Sequence, residues 1–261
     1  MKNEERTIGF IGAGRITRII LTVWKQHNVS FKSIVVFDPQ TETVKNLESD
    51  FTGVKAVASS SVVASQADIV FLAIHPPVFV EVLSEIKDAL TDQKFLVSLA
   101  PKINNEKIFR LLGFAMPLAR VIPNAPSAIG KGYNVYALSQ QVNDEQRAML
   151  GGLFEPLGQW KHVEENKLEA YATITGMGPT YLWFLFQEIH DQALKCGLEP
   201  QEAREATNAM IKGAADTLFT SNMDFEKVLD LIPAYPFKPQ EETIKKIYAQ
   251  GITGLYSKLS N

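Results

Sequence analysis

The stretch Thr7-Ile-Gly-Phe-Ile-Gly-Ala-Gly-Arg-Ile-Thr17 decides how this chain folds. Its apolar first half is typical of a buried strand, and the glycines at positions 12 and 14 indicate a tight turn. The helix predicted after this turn has an apolar stripe at helical spacing, formed by Ile16, Ile19, Ile20, Val23 and Trp24. A second apolar strand, Ser33–Phe37, then ends at Asp38. A strand, a G-x-G turn, a helix, a strand and a terminal acid together predict a dinucleotide-binding unit.

Each part of this unit has a predicted role toward the cofactor. Gly12 and Gly14 let the pyrophosphate approach the N-terminus of the helix, and Asp38 accepts hydrogen bonds from the ribose hydroxyls. Because an acid at this position repels a 2′-phosphate, we expect an NAD(P)H cofactor with NADH slightly favoured. Arg15 follows Gly14 directly and is a cation that offsets this preference. The alternative is a βαβ turn that contains the two glycines by chance.

Strands and helices alternate as far as residue 163. Further strands are predicted at Val54–Ser59, Asp68–Ile74, Phe95–Leu99, Ala119–Ile122, Tyr133–Leu138 and Gln159–Val163. This alternation predicts an α/β fold with a doubly wound, mostly parallel sheet of the Rossmann type. From about Glu164 onward the pattern is only helical. We therefore predict a dinucleotide-binding domain over residues 1–163 and an all-helical substrate and dimerisation domain over residues 164–261.

A second stretch, Thr173–Gly197, predicts the substrate site. The glycines at 176 and 178 let a backbone approach a ligand closely, and Pro179 follows at the expected first position of a helix. That helix is apolar or aromatic on nearly all sides as far as Phe186, which indicates burial in a core or between subunits. The N–H groups at the start of such a helix attract anions, so we predict a substrate carboxylate there. The alternative is a helix that merely begins tightly.

Composition and charge limit the possible functions. The 261 residues are 46% hydrophobic and 21% charged, with a net charge of −3 and no block of Lys or Arg. We therefore expect no binding of nucleic acid or of an anionic membrane. The single cysteine, Cys196, makes no intrachain disulfide, and no His, Cys and acidic residues have metal-ligand spacing. Without a signal peptide pattern or a bilayer-length apolar segment, the chain is expected to be soluble and cytoplasmic.

Four motifs resemble the pyrroline-5-carboxylate reductase family in sequence and order. They are Ile8-Gly-Phe-Ile-Gly-Ala-Gly14, Ala67-Asp-Ile-Val-Phe-Leu-Ala-Ile-His-Pro76, Arg120-Val-Ile-Pro-Asn-Ala-Pro126 and Thr175-Gly-Met-Gly-Pro-Thr-Tyr181. The resemblance runs from the first strand to about Leu218, and its strongest element looks like the family's S-G-S-G-P-A-Y. It implies a Rossmann domain, an all-helical dimerisation domain and a homodimer or higher homo-oligomer. It also implies reduction of a small cyclic imine carboxylate, pyrroline-5-carboxylate, to proline by NAD(P)H.

The resemblance also implies roles for individual residues. The pyrophosphate would be lined by Gly12, Gly14, Arg15 and Ile16. The remaining cofactor residues match a family asparagine, the A-V-K-P turn and the P-N-T-P asparagine beside the nicotinamide; in this chain they are Ser60, then Ala73, Ile74, His75 and Pro76, then Asn124. The substrate loop is formed by Thr175, Gly176, Met177, Gly178 and Thr180.

The chain departs from the family pattern at three places. Met177 stands where the substrate loop of the family has its second serine, and Ala100-Pro101-Lys102 replaces its A-A-G. The S-P-G-G-T-T segment, which helps to hold the substrate carboxylate in the family, is absent. In that region this chain reads Leu231-Ile-Pro-Ala-Tyr-Pro-Phe-Lys-Pro-Gln-Glu-Glu-Thr243. Membership of the family survives these departures, but the identity of the substrate does not follow from the motifs.

An imine carboxylate requires positioning more than it requires titratable catalytic groups. We expect the carboxylate donors to be the Thr175 hydroxyl and the N–H groups of Gly178 and Thr180. Thr175 has an equal claim to be only a helix cap. His75 is a candidate proton donor, although a loop histidine that lines the cofactor is the simpler interpretation. Lys238, in the divergent segment, is either a replacement carboxylate anchor or a solvated loop lysine.

Two other functions fit the same motifs. One is a related dehydrogenase of another small carboxylate, such as a 3-hydroxyacid dehydrogenase. That family uses a lysine early in the corresponding helix, whereas residues 181–187 here contain none. The other is a protein that binds the dinucleotide without catalysis, an alternative that the loss of S-P-G-G-T-T supports.

Overall fold

The computed structural model describes residues 5–260. The strands are β1 (Thr7–Ile11), β2 (Ser33–Phe37), β3 (Val54–Ala56), β4 (Ile69–Leu72), β5 (Phe95–Ser98), β6 (Leu118–Ile122), β7 (Gly132–Leu138) and β8 (Gly158–His162). The helices are α1 (Arg15–Gln26), α2 (Thr41–Asp50), α3 (Ser60–Gln66), α4 (Pro76–Ile86), α5 (Asn105–Leu112), α6 (Asp144–Phe154), α7 (Leu168–Tyr171), α8 (Pro179–Lys195), α9 (Pro200–Thr220), α10 (Phe225–Asp230) and α11 (Glu241–Ser260).

All eight strands form one sheet in the order β3-β2-β1-β4-β5-β6-β7-β8. Neighbouring strands are parallel except for β6 and β7, which pair antiparallel. The prediction of a doubly wound, mostly parallel sheet is therefore confirmed. From β1 the chain proceeds to β2 and β3 on one side and then crosses over to β4 on the other. This reversal creates a crevice at the carboxyl ends of β1 and β4, where ligands bind in such sheets.

The sheet is covered on both faces, because parallel strands must bury both of their surfaces. One apolar cluster joins the sheet to α1 and α6 and contains Phe10, Trp24, Phe71 and Phe154. Phe10 and Phe71 stack with ring centroids 4.7 Å apart, and Trp24 Nε1 donates to the Leu153 carbonyl at 2.7 Å. A second cluster joins the other face to α3, α4 and α5. The strand ends are thus fixed from both sides, which positions the crevice.

Two element assignments differ from the sequence-based expectations. Helix α2 was not predicted, since its ten residues contain only two buried apolar side chains, Val44 and Leu47. The strand predicted at Val54–Ser59 is shorter and ends at Ala56. Ser59 leaves the sheet because it caps α3, where its hydroxyl accepts from the Val62 N–H at 3.3 Å.

The chain divides into two compact units. One consists of residues up to Met177 together with those from Leu255 onward, and the other is Gly178–Gly254. Residues 164–177 belong to the first unit because Leu168 and Ala172 are buried against Ile122 and other residues of the sheet. These units do not coincide with the predicted domains, 1–163 and 164–261. That boundary, as a division between functional domains, stays a prediction.

Helix α8 is not buried within a single chain, which leaves the other predicted location, burial between subunits, as a prediction. None of its residues is classed as buried, and Trp183 and Phe184 are 51% and 62% exposed. In α9, Met210 and Ala214 are exposed as well, whereas Ala203 is buried. Among the helices of residues 5–260, none combines the length and the apolar character that crossing a membrane requires.

Candidate functional site

The crevice between β1 and β4 is closed at its base by Gly12. Its φ angle is +105°, a conformation that side chains with a Cβ rarely adopt. A Cβ at this position would lie 2.3 Å from the Ala73 carbonyl oxygen. The loops after β1 and β4 therefore pack directly against each other, and only glycine satisfies both the angle and the contact.

Gly14 has a different environment, at the N-terminus of α1. Its backbone is extended, with φ −74°, and a Cβ there would meet no atom within 4 Å. No side chain caps the helix, and its first turn carries no acidic residue. Arg15 is exposed beside it, and Ile16 is half-buried. An uncapped helix N-terminus beside open space and a cation fits the pyrophosphate of a dinucleotide.

Asp38 ties the glycine-rich loop to the end of β2. Its Oδ2 accepts from the Ala13 N–H at 2.8 Å, and its Oδ1 accepts from the Gln40 N–H at 2.8 Å. Sequence reasoning placed this acid at the strand end but did not foresee these bonds. Each carboxylate oxygen accepts about two hydrogen bonds, so both retain capacity for ribose hydroxyls.

The other cofactor candidates differ in accessibility. Ser60 is only 1% exposed, at the beginning of α3. The turn after β4 is more open: Ala73, Ile74 and Pro76 are half-buried, and His75 is exposed. His75 occupies the N-cap position of α4 but makes no side-chain cap there. Its imidazole is therefore not used to begin the helix.

Asn124 connects the sheet with the predicted substrate segment. It follows β6 and is 6% exposed. Its Nδ2 donates to the Thr175 carbonyl at 3.0 Å, and its Oδ1 accepts from the Tyr133 N–H at 3.2 Å. The structure thus brings two sequence-predicted site residues, 51 positions apart, into direct contact. The resemblance suggested a cofactor role for Asn124 but no bond to the substrate segment.

The substrate segment is largely helical, not a glycine turn as expected. Ala172–Gly176 forms a π-helix that continues α7, with the Met177 N–H donating to the Ala172 carbonyl at 3.0 Å. Such helices are rare and often occur at functional sites. The Thr175 hydroxyl donates to the Tyr171 carbonyl at 2.9 Å. It must turn away from that carbonyl to donate to a carboxylate.

The second unit begins with the N-terminus of α8. Pro179 is its first residue, as predicted, and Gly178 precedes it with φ −48° and ψ −41° and makes no side-chain cap. Thr180, in the first turn, is exposed. Burial raises the pKa of the neighbouring Tyr181 above its ordinary value.

A cluster of charged residues on the first unit was not identified from the sequence. Arg120, on β6, is 1% exposed. Its Nη1 donates to Glu165 Oε1 at 3.0 Å, and its Nη2 donates to Glu169 Oε1 at 2.6 Å. An arginine within the apolar strand Leu118–Ile122 was the available signal, since a buried charge requires partners. Nothing in the local sequence indicates which glutamates supply them.

Lys238 is already paired in the structure. Its Nζ lies 3.3 Å from Glu241 Oε2 and 5.3 Å from the centre of the Tyr235 ring. Glu241 also contacts Lys245 Nζ at 2.5 Å, and the bonds to Lys245 and Lys238 lower the pKa of its carboxyl group. Lys238 remains 66% exposed, so its side chain is still accessible to a ligand.

Within residues 5–260, no group of three His, Cys, Asp or Glu side chains is arranged to hold a metal ion.

Comparisons with known proteins match both parts of the chain. Residues 7–102 match the family described as NADP oxidoreductase coenzyme F420-dependent, and residues 165–253 match pyrroline-5-carboxylate reductase dimerisation. The pyrroline-5-carboxylate reductase of Corynebacterium melassecola is 29% identical over 212 residues, which cover 80% of this chain and 78% of that protein. The enzyme of the same name from Pseudomonas aeruginosa is 26% identical over 256 residues, which cover 97% and 93%.

The fold is also similar to that of solved structures. The NADP-bound pyrroline carboxylate reductase of Plasmodium falciparum has a TM-score of 0.83 and 21% identity, with 98% of each chain covered. At this identity the likeness concerns the fold alone. The sequence comparisons agree with the family resemblance of the four motifs.

Proposed function

We propose that this chain, which belongs to the pyrroline-5-carboxylate reductase family, is an NAD(P)H-dependent reductase of pyrroline-5-carboxylate, with proline as the product. The observation that carries this proposal is the hydrogen bond from Asn124 to the Thr175 carbonyl. It joins the sheet that forms the dinucleotide crevice to the segment that the family uses for substrate. The relatives that match along most of the chain carry the same activity in their names.

The chain's own residues are assigned to binding the cofactor. The uncapped N-terminus of α1, with Gly14 and Arg15, holds the pyrophosphate, and Asp38 holds the ribose. The turn Ala73–Pro76 and Asn124 border the nicotinamide. When bound, the reduced cofactor supplies the hydride.

The substrate requires orientation and little further activation. A protonated imine carbon is already electrophilic, so the protein must hold the ring and its carboxylate in the correct position. We assign the carboxylate to the N–H groups of Gly178 and Thr180 at the start of α8. The Thr175 hydroxyl is a further candidate donor once it turns away from the Tyr171 carbonyl, and Gly176 and Met177 are assigned to the same substrate loop.

We also propose that the active form is a homodimer built through the helical region. The family match over residues 165–253 is named for dimerisation. Apolar side chains of α8 such as Trp183 and Phe184 are more than half exposed in one chain, which a second copy would correct. The cytoplasmic location stays a prediction, supported by a single cysteine and a substrate class found in metabolism.

Two observations keep an alternative function in view. The segment 231–243 lacks S-P-G-G-T-T, and its Lys238 is paired with Glu241. Both favour a dinucleotide-binding protein without this catalysis, or a reductase of a different small carboxylate. The related 3-hydroxyacid dehydrogenases are disfavoured because residues 181–187 contain no lysine.

Turnover assays with the purified protein test the proposal. We expect oxidation of NADH or NADPH with pyrroline-5-carboxylate and formation of proline, detected by mass spectrometry. The matched control is 1-pyrroline, which lacks only the carboxylate and should be reduced at least about 100-fold less efficiently if that group is anchored. Cofactor binding without turnover would instead support the non-catalytic alternative, and oxidation of a 3-hydroxyacid would support the dehydrogenase.

A further inference from the structure

We infer that Arg120, Glu165 and Glu169 are positioning residues of the reductase, which hold the π-helical substrate segment against the end of β6. The inference rests on the proposed function. It assigns no contact with substrate or cofactor to these three residues. Their effect is exerted through Thr175 and its neighbours.

Arg120 is a buried charge. Its neighbours in β6, Ala119 and Val121, are fully buried, and the arginine itself is 1% exposed. A guanidinium in such a place is costly unless it is paired. Both of its Nη atoms have a carboxylate partner, at 3.0 and 2.6 Å, whereas its Nε is buried without one. Within residues 5–260, the ion pairs of Arg120 are with these two glutamates, and removing either glutamate weakens its neutralisation.

The same carboxylate oxygens also hold the loop that follows β5. Glu165 Oε1 also accepts from the Asn105 N–H at 2.7 Å, and Glu169 Oε1 also accepts from the Lys102 N–H at 3.0 Å. Lys102 has φ +76°, a conformation that lysine rarely adopts. Backbone strain of this kind persists only where surrounding contacts fix it, and it is frequent at functional sites. The glutamates thus join β6, the loop after β5 and the helical segment.

This charged cluster and Asn124 both hold the helical segment that contains Thr175. Arg120 and Asn124 come from the same strand and its immediate end, and both bind the helical segment that begins at Glu165. The arginine fixes the turn that contains Glu169, and the asparagine fixes Thr175. The π-helix lies between these two attachments.

The rate of hydride transfer is sensitive to the position of the reacting groups. A π-helix has poorer intrinsic stability than an α-helix, so its shape depends on external attachments. Misplacing a reacting group by about 1 Å costs roughly 100-fold in rate. Loosening Arg120 should therefore lower the rate of the chemical step. The crevice around Gly12 and Gly14 lies at the ends of β1 and β4 and should keep its cofactor affinity.

The test compares three single variants with the wild-type protein. Arg120→Met removes the charge, and Glu169→Gln keeps the shape of the side chain but weakens the pair. The matched control is Arg110→Met, which breaks the exposed pair between Arg110 and Glu106 on α5. We expect kcat to fall at least tenfold in Arg120→Met and severalfold in Glu169→Gln. The Kd for NAD(P)H should change less than twofold in both, and the control should match the wild type.

Two further readouts separate positioning from a general loss of structure. The deuterium isotope effect on kcat, with cofactor labelled at the transferred position, should increase in both variants because hydride transfer becomes slower than product release. Amide hydrogen exchange should accelerate at least tenfold across residues 172–177 and stay unchanged across β1 and α1. If Arg120→Met does not fold, Glu169→Gln decides the question by the same measurements.

The inference is overturned if folded variants keep wild-type exchange at residues 172–177 and a wild-type isotope effect. It is also overturned if exchange accelerates equally throughout the molecule, since the cluster would then serve only stability. Should the wild-type protein turn over no imino acid, the proposed function fails. The exchange measurement, which needs no activity, still decides whether the cluster holds the segment.

Discussion

Gly12 and Gly14 lie two residues apart in one loop, yet they are glycines for different physical reasons. Gly12 has a positive φ and is in contact with the Ala73 carbonyl. Gly14 has an ordinary extended backbone, and space is open where its Cβ would lie. Of these two positions, the fold therefore requires a glycine at position 12 and not at position 14. At position 14 we propose that the absence of a side chain makes room for the ligand that approaches the helix.

This difference gives a prediction for two alanine variants. Gly14→Ala should change the free energy of unfolding by less than about 0.5 kcal/mol, because the alanine meets no atom. Its Kd for NAD(P)H should rise at least tenfold, since the methyl group occupies the approach of the pyrophosphate. Gly12→Ala should cost about 2 kcal/mol or more of stability. Urea unfolding and fluorescence titration measure these quantities, and unchanged cofactor affinity in Gly14→Ala would place the pyrophosphate elsewhere.

Asp38 holds the loop, and we expect it also to influence the choice of cofactor. It holds the Ala13 and Gln40 N–H groups, so its carboxylate is fixed at the end of β2. A fixed negative charge there disfavours a 2′-phosphate, although Arg15 lies nearby in sequence. We expect kcat/KM with NADH to be at least equal to that with NADPH. Asp38→Asn keeps the acceptor oxygen but removes the charge, so it should shift the ratio toward NADPH; a strong wild-type preference for NADPH would refute the assignment.

Among the helices, α8 shows how a start signal serves function. Pro179 fixes the first turn, and Gly178 precedes it in a right-handed helical conformation. An alanine fits that conformation without backbone strain. The glycine is therefore not required by the helix itself, and its small size is available for a ligand.

Gly178→Ala should consequently affect the substrate and not the fold. We expect kcat/KM for the imino acid to fall by a factor equivalent to about 2–3 kcal/mol, the scale for losing a preorganised anion donor. The Kd for NADH should hardly change, because the cofactor loop is a separate element. With 1-pyrroline, which has no carboxylate, the variant and the wild type should be alike. If the variant reduces pyrroline-5-carboxylate normally, the carboxylate binds elsewhere, and Lys238 becomes the leading candidate for its anchor.

At the scale of the whole molecule, many large apolar side chains of the second unit are exposed in a single chain. Besides those of α8, exposed apolar side chains of that unit include Phe219, Ile232 and Ile247. Large apolar side chains exposed in such numbers are typical of association sites. The proposed dimer would account for the composition of α8, which has too many large side chains for one small core.

We therefore expect sedimentation to find a homodimer at micromolar concentration. Phe184→Glu, at a position that is 62% exposed, should weaken the dimer and lower activity with it. The control Val80→Glu changes a 44% exposed residue on α4 and should leave the dimer intact. A folded and active wild-type monomer would contradict the proposal.

The sequence alone determined the sheet, the cofactor crevice and the start of α8. These features follow from local signals: apolar runs and stripes, glycines at fixed spacing, and a proline at a helix start. The capping box of α6, formed by Asn143 and Gln146, is an equally local pattern in the sequence and is present in the structure. Helix α2 was missed because its two buried residues give too weak a stripe.

Only the tertiary structure decided how the substrate segment is held. Arg120 finds its partners 45 and 49 residues away, and Asn124 reaches Thr175 across 51 residues. Pairings at such separations have no sequence period, because they depend on which strand end faces which helix. The π-helix has the same origin: its residues read as an ordinary helix and a glycine turn until neighbouring elements fix them. The exposure of α8 within one chain has a related origin, since an apolar sequence does not distinguish a core from a surface that a second chain covers.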